Sequence, residues 1–316
     1  MSDATGTITD RGRGGDDVGV ADRFPLPSIS FEMKLLLPSI VFLALLSIIP
    51  LIALLWMSVS NFGRVPTASP EFVGLQHYTK MFGNTRLLNS WKTTFIYAGA
   101  SLVLQVVLGV SLAVSLDILD RGENMFTSII IMPMMVAPVA AGLIWDFLLS
   151  STFGLYGVFL VKIGVTGQAG VLANEATALP ALIIMDTWQW TPLVVLIVLA
   201  RLKSVPDQLY EAASVDGASG WQTFRYVTYP LIKPAIGIAL LIRSMDLLRF
   251  FDKIFITTGG GPADATKVIG MFIYEMALRQ FEYGRAAALG VMLMIVTIIL
   301  GLVFVELYMG GAGDDA

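Results

Sequence analysis

The sequence predicts an all-α integral membrane protein. Of its 316 residues, 56% are hydrophobic and 14% are charged, whereas soluble domains average about 45–50% apolar and about 25% charged residues. The apolar residues are grouped in runs of roughly 20 or more, which is the length that a helix needs to cross a bilayer. Helices are expected in these runs because lipid offers no hydrogen-bond partner to exposed backbone groups.

Six runs reach this length and define a predicted membrane domain over residues 31–310. They cover about 35–59, 94–116, 126–149, 179–202, 234–257 and 286–309. The segment 1–30 is rich in Gly, Asp, Arg and Ser and lacks an apolar run. It is therefore predicted to be a disordered tail that is not cleaved as a signal peptide. Residues 311–316 form a short C-terminal tail.

Composition and charge exclude several classes of function. The formal net charge is −4, and no basic face of the kind that binds nucleic acid stands out. The chain has no cysteine and a single histidine, His77, so a disulfide framework, a thiolate nucleophile and a metal centre are not expected. His77 lies in a polar stretch between two runs and is interpreted as structural or solvated. No catalytic residue is predicted.

The stretch between the fourth and fifth runs predicts a short helix outside the membrane. Ser204 is expected to cap it, with Pro206 and Asp207 in its first turn. Asp216 and Gly217 are expected to end it, because glycine tolerates a positive φ.

A second short helix is predicted to follow at once. Ser219 is expected to cap it, Trp221 and Phe224 share one face three residues apart, and Pro230 marks its end. Apolar side chains outside the membrane runs need a partner. The residues alone leave open whether that partner is another protein or the chain's own helix bundle.

The sequence EAASVDGASGWQTFRYVTYP in this stretch resembles the cytoplasmic EAA loop of ABC-importer permeases. The matching positions are Glu211, Ala212, Ala213, Gly217 and Pro230. Two positions depart from the usual pattern: Val227 replaces isoleucine and Tyr229 replaces leucine.

The resemblance extends over about 35–309. WQWTPLVVLIVLARLKSVPDQLYEAA, FFDKIFITTGGGPADAT and EYGRAAALGVML look like segments of the carbohydrate-uptake branch, which includes maltose and glycerol-phosphate permeases. The resemblance implies six transmembrane helices in the inner membrane, with both termini cytoplasmic. Lysines and arginines fall equally on the two sides, so charge alone gives no orientation.

The resemblance also implies partners and a coupling site. The loop at about 203–233 would carry a coupling helix that docks on an ABC ATPase dimer. A second homologous permease and an extracytoplasmic solute-binding protein would complete the importer. The coupling residues would be Glu211, Ala212, Ala213, Asp216, Gly217, Trp221 and Phe224.

ATP is expected to be bound elsewhere. The chain lacks a G-x-x-x-x-G-K-[ST] phosphate loop, and the glycine-rich TTGGGP at 257–262 has no following lysine. It is interpreted as the turn that leaves the fifth run. This chain is thus predicted to bind no cofactor, and the ATPase partner to use ATP and Mg.

Charges inside the membrane indicate a candidate solute pathway. In the fifth run Arg243, Asp246, Arg249 and Asp252 follow one another at intervals of three, which permits pairs of opposite charge. Asp186 in the fourth run lies at a depth similar to that of Arg249. A contact between Asp186 and Arg249 is therefore predicted.

The candidate pathway combines these charges with aromatic and amide side chains, which suit a sugar. An alternative is that the charges only hold the bundle together, and that the tryptophans lie at the membrane interface. The candidate pathway residues are Asp186, Trp188, Gln189, Trp190, Asp246, Arg249, Phe251 and Asp252.

The predicted function is the permease subunit of an ABC importer for a sugar or related solute. One rival is a self-contained secondary transporter that uses Asp186 or Asp246 for proton coupling. That rival predicts uptake without ATP and gives the EAA loop no role. A membrane-embedded enzyme is a second rival, but one histidine and no cysteine make a reactive cluster hard to build.

Overall fold

A computed structural model describes residues 31–62, 70–119 and 121–309, most of which are helical. The predicted tails, 1–30 and 311–316, lie outside the described residues. Four helices are long and apolar enough to cross a membrane. They are α1 (Phe31–Ser58), α3 (Thr85–Asp117), α7 (Glu175–Leu202) and α13 (Tyr283–Met309).

These four helices confirm the first, second, fourth and sixth predicted runs, although most extend beyond them. The largest difference is at α3, which begins nine residues before the predicted start at 94. Its first turns are polar and escape a search for apolar residues. They are helical because Asn84 caps the helix and its side chain accepts a hydrogen bond from the backbone N–H of Leu87.

The third run is not one straight helix. It consists of α4 (Glu123–Ile131), a 3₁₀ turn (Met132–Met135) and α5 (Pro138–Leu149). The two helical arms are bent by 95° relative to each other. Pro133 in the turn and Pro138 at the start of α5 account for the break, because proline cannot continue a helical hydrogen-bond ladder.

The prediction of one continuous fifth run over 234–257 was wrong. The chain forms α10 (Tyr229–Leu248) and, after three residues, the short α11 (Asp252–Thr257). The backbone leaves the helical conformation after Leu248, and Phe251 has an extended φ of −146°. Charged side chains on both sides of this break contact a common partner on α7.

The shorter elements lie at the ends of the long helices. Their bounds are β1 (Ser60–Asn61), β2 (Glu71–Phe72), α2 (Gln76–Met81), α6 (Leu155–Lys162), α8 (Gln208–Val215), α9 (Gly220–Thr223) and α12 (Ile269–Tyr274). The two strands pair antiparallel. Two π-helical turns continue α9 and α12, at Phe224–Thr228 and Glu275–Arg279.

Residues 52–309 make one unit, built around α3 and α7. These helices approach closely at Gly109, where an added Cβ would lie 2.6 Å from Val194 Cβ. Small residues allow this close approach of membrane helices. Most of α1, which reaches Ser58, belongs to the other unit, and its apolar side chains are largely exposed.

Candidate functional site

Five alternating charges form a chain of contacts, here called the ion ladder, where α7, α10 and α11 meet. Asp186 Oδ1 is 2.8 Å from Lys253 Nζ, and Asp186 Oδ2 is 2.8 Å from Arg243 Nη2. Arg243 then lies 3.6 Å from Asp246, which lies 3.1 Å from Arg249. The first three side chains are at most 2% exposed, whereas Asp246 and Arg249 are 41% and 62% exposed. The ladder thus leads from the buried core of the bundle to its exposed surface.

Two neighbours complete the buried end of the ladder. Gln105 on α3 donates its amide N–H to Asp186 Oδ2 over 2.8 Å and accepts a hydrogen bond from Arg243 Nε over 2.9 Å. The indole ring of Trp190 lies 4.8 Å from the Arg243 guanidinium carbon. Buried charges are stable only when paired and hydrogen-bonded, and both oxygens of Asp186 meet that condition.

The predicted contact between Asp186 and Arg249 was wrong. Arg249 instead bonds Asp246, one turn away on the same stretch of chain. Asp252 forms no salt bridge within the described part of the chain, because the helix ends at Leu248 and the spacing of three no longer places it beside Arg249. The pair Arg243–Asp246 does form as the spacing predicts.

A cleft of about 340 Å³, here called the ladder cleft, opens at the exposed end of the ladder. This volume falls in the range of small-molecule sites. Five of the eight candidate pathway residues line it. The lining residues are Pro138, Trp190, Arg243, Asp246, Arg249, Phe250, Phe251 and Asp252.

The other three candidate pathway residues lie elsewhere. Asp186 is beneath the cleft, at the buried end of the ladder. Trp188 borders an apolar groove between α3 and α7 and packs edge-on against Trp145. Gln189 is fully buried and donates its amide N–H to the carbonyl of Val136 over 2.6 Å. That carbonyl stands at the bend between the 3₁₀ turn and α5, where no helical N–H is available for it.

Sequence reasoning missed two polar residues of the site, Lys253 and Gln105. Lys253 is fully buried, and its place within the predicted fifth run was a usable signal, because a lysine in a membrane interior needs a partner. Gln105 sits alone in a run of apolar residues on α3. A neutral amide gives no charge signal, so the sequence did not mark it as a partner of Asp186.

The loop between α7 and α10 forms a second candidate site. Gly217 ends α8 with φ of +71°, as predicted for a glycine. Ser219 and Gln222 form a reciprocal capping box at the start of α9. Trp221 and Phe224 stack with ring centroids 5.6 Å apart, which confirms the shared face.

Two details of the predicted loop were wrong. Ser204 does not cap α8, because its hydroxyl donates to the carbonyl of Arg201, and α8 starts later, at Gln208. Pro230 does not end the second helix. It occupies the first turn of α10, directly after the π turn, and the chain runs helically from α9 through the π turn into α10.

The loop packs on its own bundle on one side only. Ala213 is buried, whereas Glu211, Ala212 and Asp216 are exposed. Trp221 is 69% and Val215 is 88% exposed. An apolar surface of this kind is typical of a contact with another protein.

Lys203 anchors the base of the loop to the neighbouring helices. Its Nζ lies 3.0 Å from Glu123 and 3.2 Å from Asp117. The hydrogen bond to Glu123, with help from Asp117 and against some desolvation, raises the pKa of Lys203. The loop therefore starts from a fixed point at the ends of α3 and α4.

His77 lies at the opposite end of the bundle from this loop. It is buried, and its Nε2 is 3.1 Å from the backbone carbonyl of Ser60. In the described part of the chain, no three potential metal ligands of the His, Cys, Asp or Glu type cluster together.

Comparisons with known proteins identify the family. A family model described as "Binding-protein-dependent transport system inner membrane component" matches residues 105–308, more than half of the chain. The chain belongs to this family. The match includes the ion ladder and the loop between α7 and α10, and it confirms the predicted family of ABC-importer permeases.

Two relatives and one solved structure illustrate the likeness. The trehalose/maltose transport system permease protein MalF of Thermococcus litoralis is 30% identical over 86% of this chain and 91% of its own length. The sn-glycerol-3-phosphate transport system permease protein UgpA of Agrobacterium fabrum is 31% identical over 73% of this chain and 79% of its own.

The solved structure is a bacterial alginate ABC transporter in complex with an alginate pentasaccharide-bound periplasmic protein. One of its chains matches with a TM-score of 0.78 and 23% identity, over 89% of this chain and 95% of that chain. The two chains share their fold.

Proposed function

We propose that this chain is a non-catalytic permease subunit of an ATP-binding-cassette importer. It forms half of the translocation pathway for a sugar or related solute, such as an oligosaccharide, a polyol or glycerol phosphate. The observation that carries the proposal is the ladder cleft. In a family of solute transporters, charged and aromatic side chains converge there on a break between membrane helices.

Six membrane crossings follow from this proposal. The four long helices and the bent pair α4–α5 supply five. The sixth is α10, whose twenty residues are about 30 Å long at 1.5 Å per residue, and whose charges turn toward the ladder and its cleft. Both termini and the loop between α7 and α10 are then cytoplasmic.

The loop is the proposed contact with the ATPase. Glu211, Ala212 and Asp216 are exposed, Gly217 makes the turn, and the stacked pair of Trp221 and Phe224 adds an apolar surface. Ala213 packs inward and holds α8 in place. ATP and Mg are bound by the ATPase dimer and not by this chain.

The ladder cleft is the proposed solute contact. Trp190 and Phe251 offer aromatic surface, and Asp246, Arg249 and Asp252 offer charged groups that bond hydroxyls. The names of the relatives support a sugar or glycerol phosphate as the solute. A second homologous permease and an extracytoplasmic solute-binding protein complete the importer.

Co-purification of the tagged chain from native membranes in mild detergent tests the proposal. We expect an ATPase and a second permease to accompany the wild-type chain. Glu211→Gln should lose most of the ATPase and keep the second permease. Glu175→Gln removes another exposed carboxylate at the other end of α7 and should keep both.

Transport in proteoliposomes separates the proposal from its main rival. The purified complex should take up solute only with ATP and the binding protein. Uptake by the chain alone without ATP would contradict the importer proposal and favour a secondary transporter.

A further inference from the structure

The break between α10 and α11 contributes three consecutive residues, 249–251, to the ladder cleft. Non-helical backbone at membrane depth is tolerated only where it is buried in protein or lines a water-filled cavity. The shape of the cleft therefore depends on the angle at which α11 leaves α10. Something must fix that angle, because a loop of three residues has many conformations.

One carboxylate contacts both sides of this break. Asp186 on α7 binds Arg243 on α10 through Oδ2 and Lys253 on α11 through Oδ1, each over 2.8 Å. We infer that Asp186 is a positioning residue, which clips α10 and α11 together and thereby sets the shape of the ladder cleft. The consequence for solute rests on the proposed function, whereas the clip itself does not.

The clip has no substitute among the described residues. Asp186 is the only carboxylate within salt-bridge distance of Lys253 there, so α11 has a single ionic attachment. Arg243 has a second carboxylate, Asp246, but that residue is on its own helix and spans no break.

Apart from the Arg249–Asp246 pair, which stays on the α10 side, the remaining contacts at the break are apolar and less directional. The ring of Phe250 stacks on Tyr97 with centroids 5.4 Å apart. On its other side α11 packs closely on α5, where an added Cβ at Gly142 would lie 2.5 Å from Ile256 Cγ2. These contacts hold α11 in place but allow it to slide, whereas two charged hydrogen bonds to one carboxylate fix its direction.

Lys253→Met tests the clip by removing one positive charge while keeping a side chain of similar length. It frees α11 from α7 and leaves Asp186 and Arg243 as a balanced buried pair. In the full chain in lipid nanodiscs, hydrogen exchange read by mass spectrometry should become about tenfold faster in peptides covering 249–257. Exchange in α3 and α13 should stay unchanged. Lys253→Gln, which keeps an N–H donor, should give a smaller rise in the exchange rate, of about threefold. This variant replaces Lys253→Met in the test if the Met variant does not accumulate.

Lys267→Met is the matched control. Lys267 is similarly buried and lies 2.6 Å from Asp264 and 2.9 Å from Glu275, and neither of these ion pairs reaches the break. Exchange in 249–257 should not respond to it. Equal exchange in wild type and Lys253→Met, or a rise spread evenly over all helices, would overturn the inference, because it would show no local role or only a general loss of stability.

Transport kinetics test the consequence for the cleft. In ATP-driven uptake, Lys253→Met should raise the half-saturating solute concentration about tenfold and leave the maximal rate within twofold. The reason is that the substitution loosens the solute site and leaves the ATP-driven conformational change intact. An unchanged half-saturating concentration would overturn the link between clip and cleft. Absence of ATP-driven uptake in the wild type would overturn the proposed function alone, since hydrogen exchange still decides the clip.

Discussion

The ion ladder and the loop between α7 and α10 depart from ordinary side-chain placement in opposite directions. The ladder buries Asp186, Arg243 and Lys253, which are among the least buried residue types in proteins. The loop exposes Trp221 and Val215, which usually prefer burial. The ladder satisfies its polar groups within the chain, whereas the loop leaves its apolar groups without cover.

This difference separates two kinds of functional region. A region that is complete in the isolated chain should respond to substitution with a change in stability. A region whose apolar surface is covered only by a partner protein should respond with a change in binding of that partner and little change in stability. Substitutions in the two regions and in the helices that connect them test this contrast.

The two acidic residues of the ladder should differ strongly in stability. Asp186→Asn leaves buried Lys253 without a counter-ion and buried Arg243 with only the partly exposed Asp246, and it should lower the free energy of unfolding by about 3–5 kcal/mol. Asp246→Asn makes the same change where the side chain is 41% exposed and should lower it by less than about 1 kcal/mol. SDS titration in mixed micelles measures both. Equal losses would mean that the ladder is solvated along its whole length.

The close approach of α3 and α7 should be sensitive to a single methyl group. Gly109→Ala places a Cβ 2.6 Å from Val194 and should cost about 1–3 kcal/mol through overpacking. Gly99→Ala on the same helix meets nothing within 4 Å and should be neutral or stabilise by up to about 1 kcal/mol. The same titration measures both variants, and a loss for Gly99→Ala equal to that for Gly109→Ala would contradict the packing argument.

Two glycines with the same backbone conformation separate stability from coupling. Gly217 and Gly164 have φ of +71° and +76°, and a Cβ at either would meet nothing within 4 Å. Alanine at either position should cost about 1–2 kcal/mol, because of the left-handed conformation. Only Gly217→Ala should also reduce the amount of ATPase that co-purifies. Loss of the ATPase from both variants would mean that coupling responds to stability in general.

The smallest effect concerns Asp264, at the opposite end of the bundle from the coupling loop. Partial burial acts to raise the pKa of this carboxyl, but hydrogen bonds from Lys267 and Arg86 outweigh it and lower the pKa below its ordinary value. A lowered pKa gives stability that is complete above the unfolded value of about 3.9 and is lost as the pH falls through the folded value.

Asp264→Asn should therefore destabilise the chain at pH 7 and progressively less below about pH 4. The loss at pH 7 should stay within about 1 kcal/mol, because Arg86 is largely exposed and the pair is screened by solvent. Thermal unfolding at several pH values measures it. A constant difference at all pH values would show that the charge of Asp264 is not the cause.

The sequence predicted the parts of the fold that follow from local chemistry. Long apolar runs marked the four unbroken spans, and Gly217 and Ser219 marked a turn and a cap, because backbone conformation and capping are decided within a few residues. The break within the fifth run escaped prediction. The charges around residues 249–251 were compatible with a continuous membrane helix whose charges pair within the bundle, so composition did not reveal this break. The bend at 132–137 is supported by a distant residue, Gln189.

Prediction of the ladder failed where it needed geometry across helices. The spacing of Arg243, Asp246 and Arg249 correctly gave the pairs along one helix, since i,i+3 neighbours depend on helical periodicity alone. The partner of Asp186 depends on how α10 and α7 are rotated and on where α10 ends. Local sequence determines neither of these. Similar depth in the membrane was then the only guide, and it favoured Arg249 over Arg243 as the partner of Asp186.

The uninterrupted helix from Gly220 to Leu248 joins the two regions mechanically. Its 29 residues make a lever arm of about 43 Å at 1.5 Å per residue. A tilt of about five degrees at the loop end, with that end as pivot, displaces the far end by roughly 4 Å over this length. That distance exceeds the length of the hydrogen bonds through which Asp186 holds the cleft.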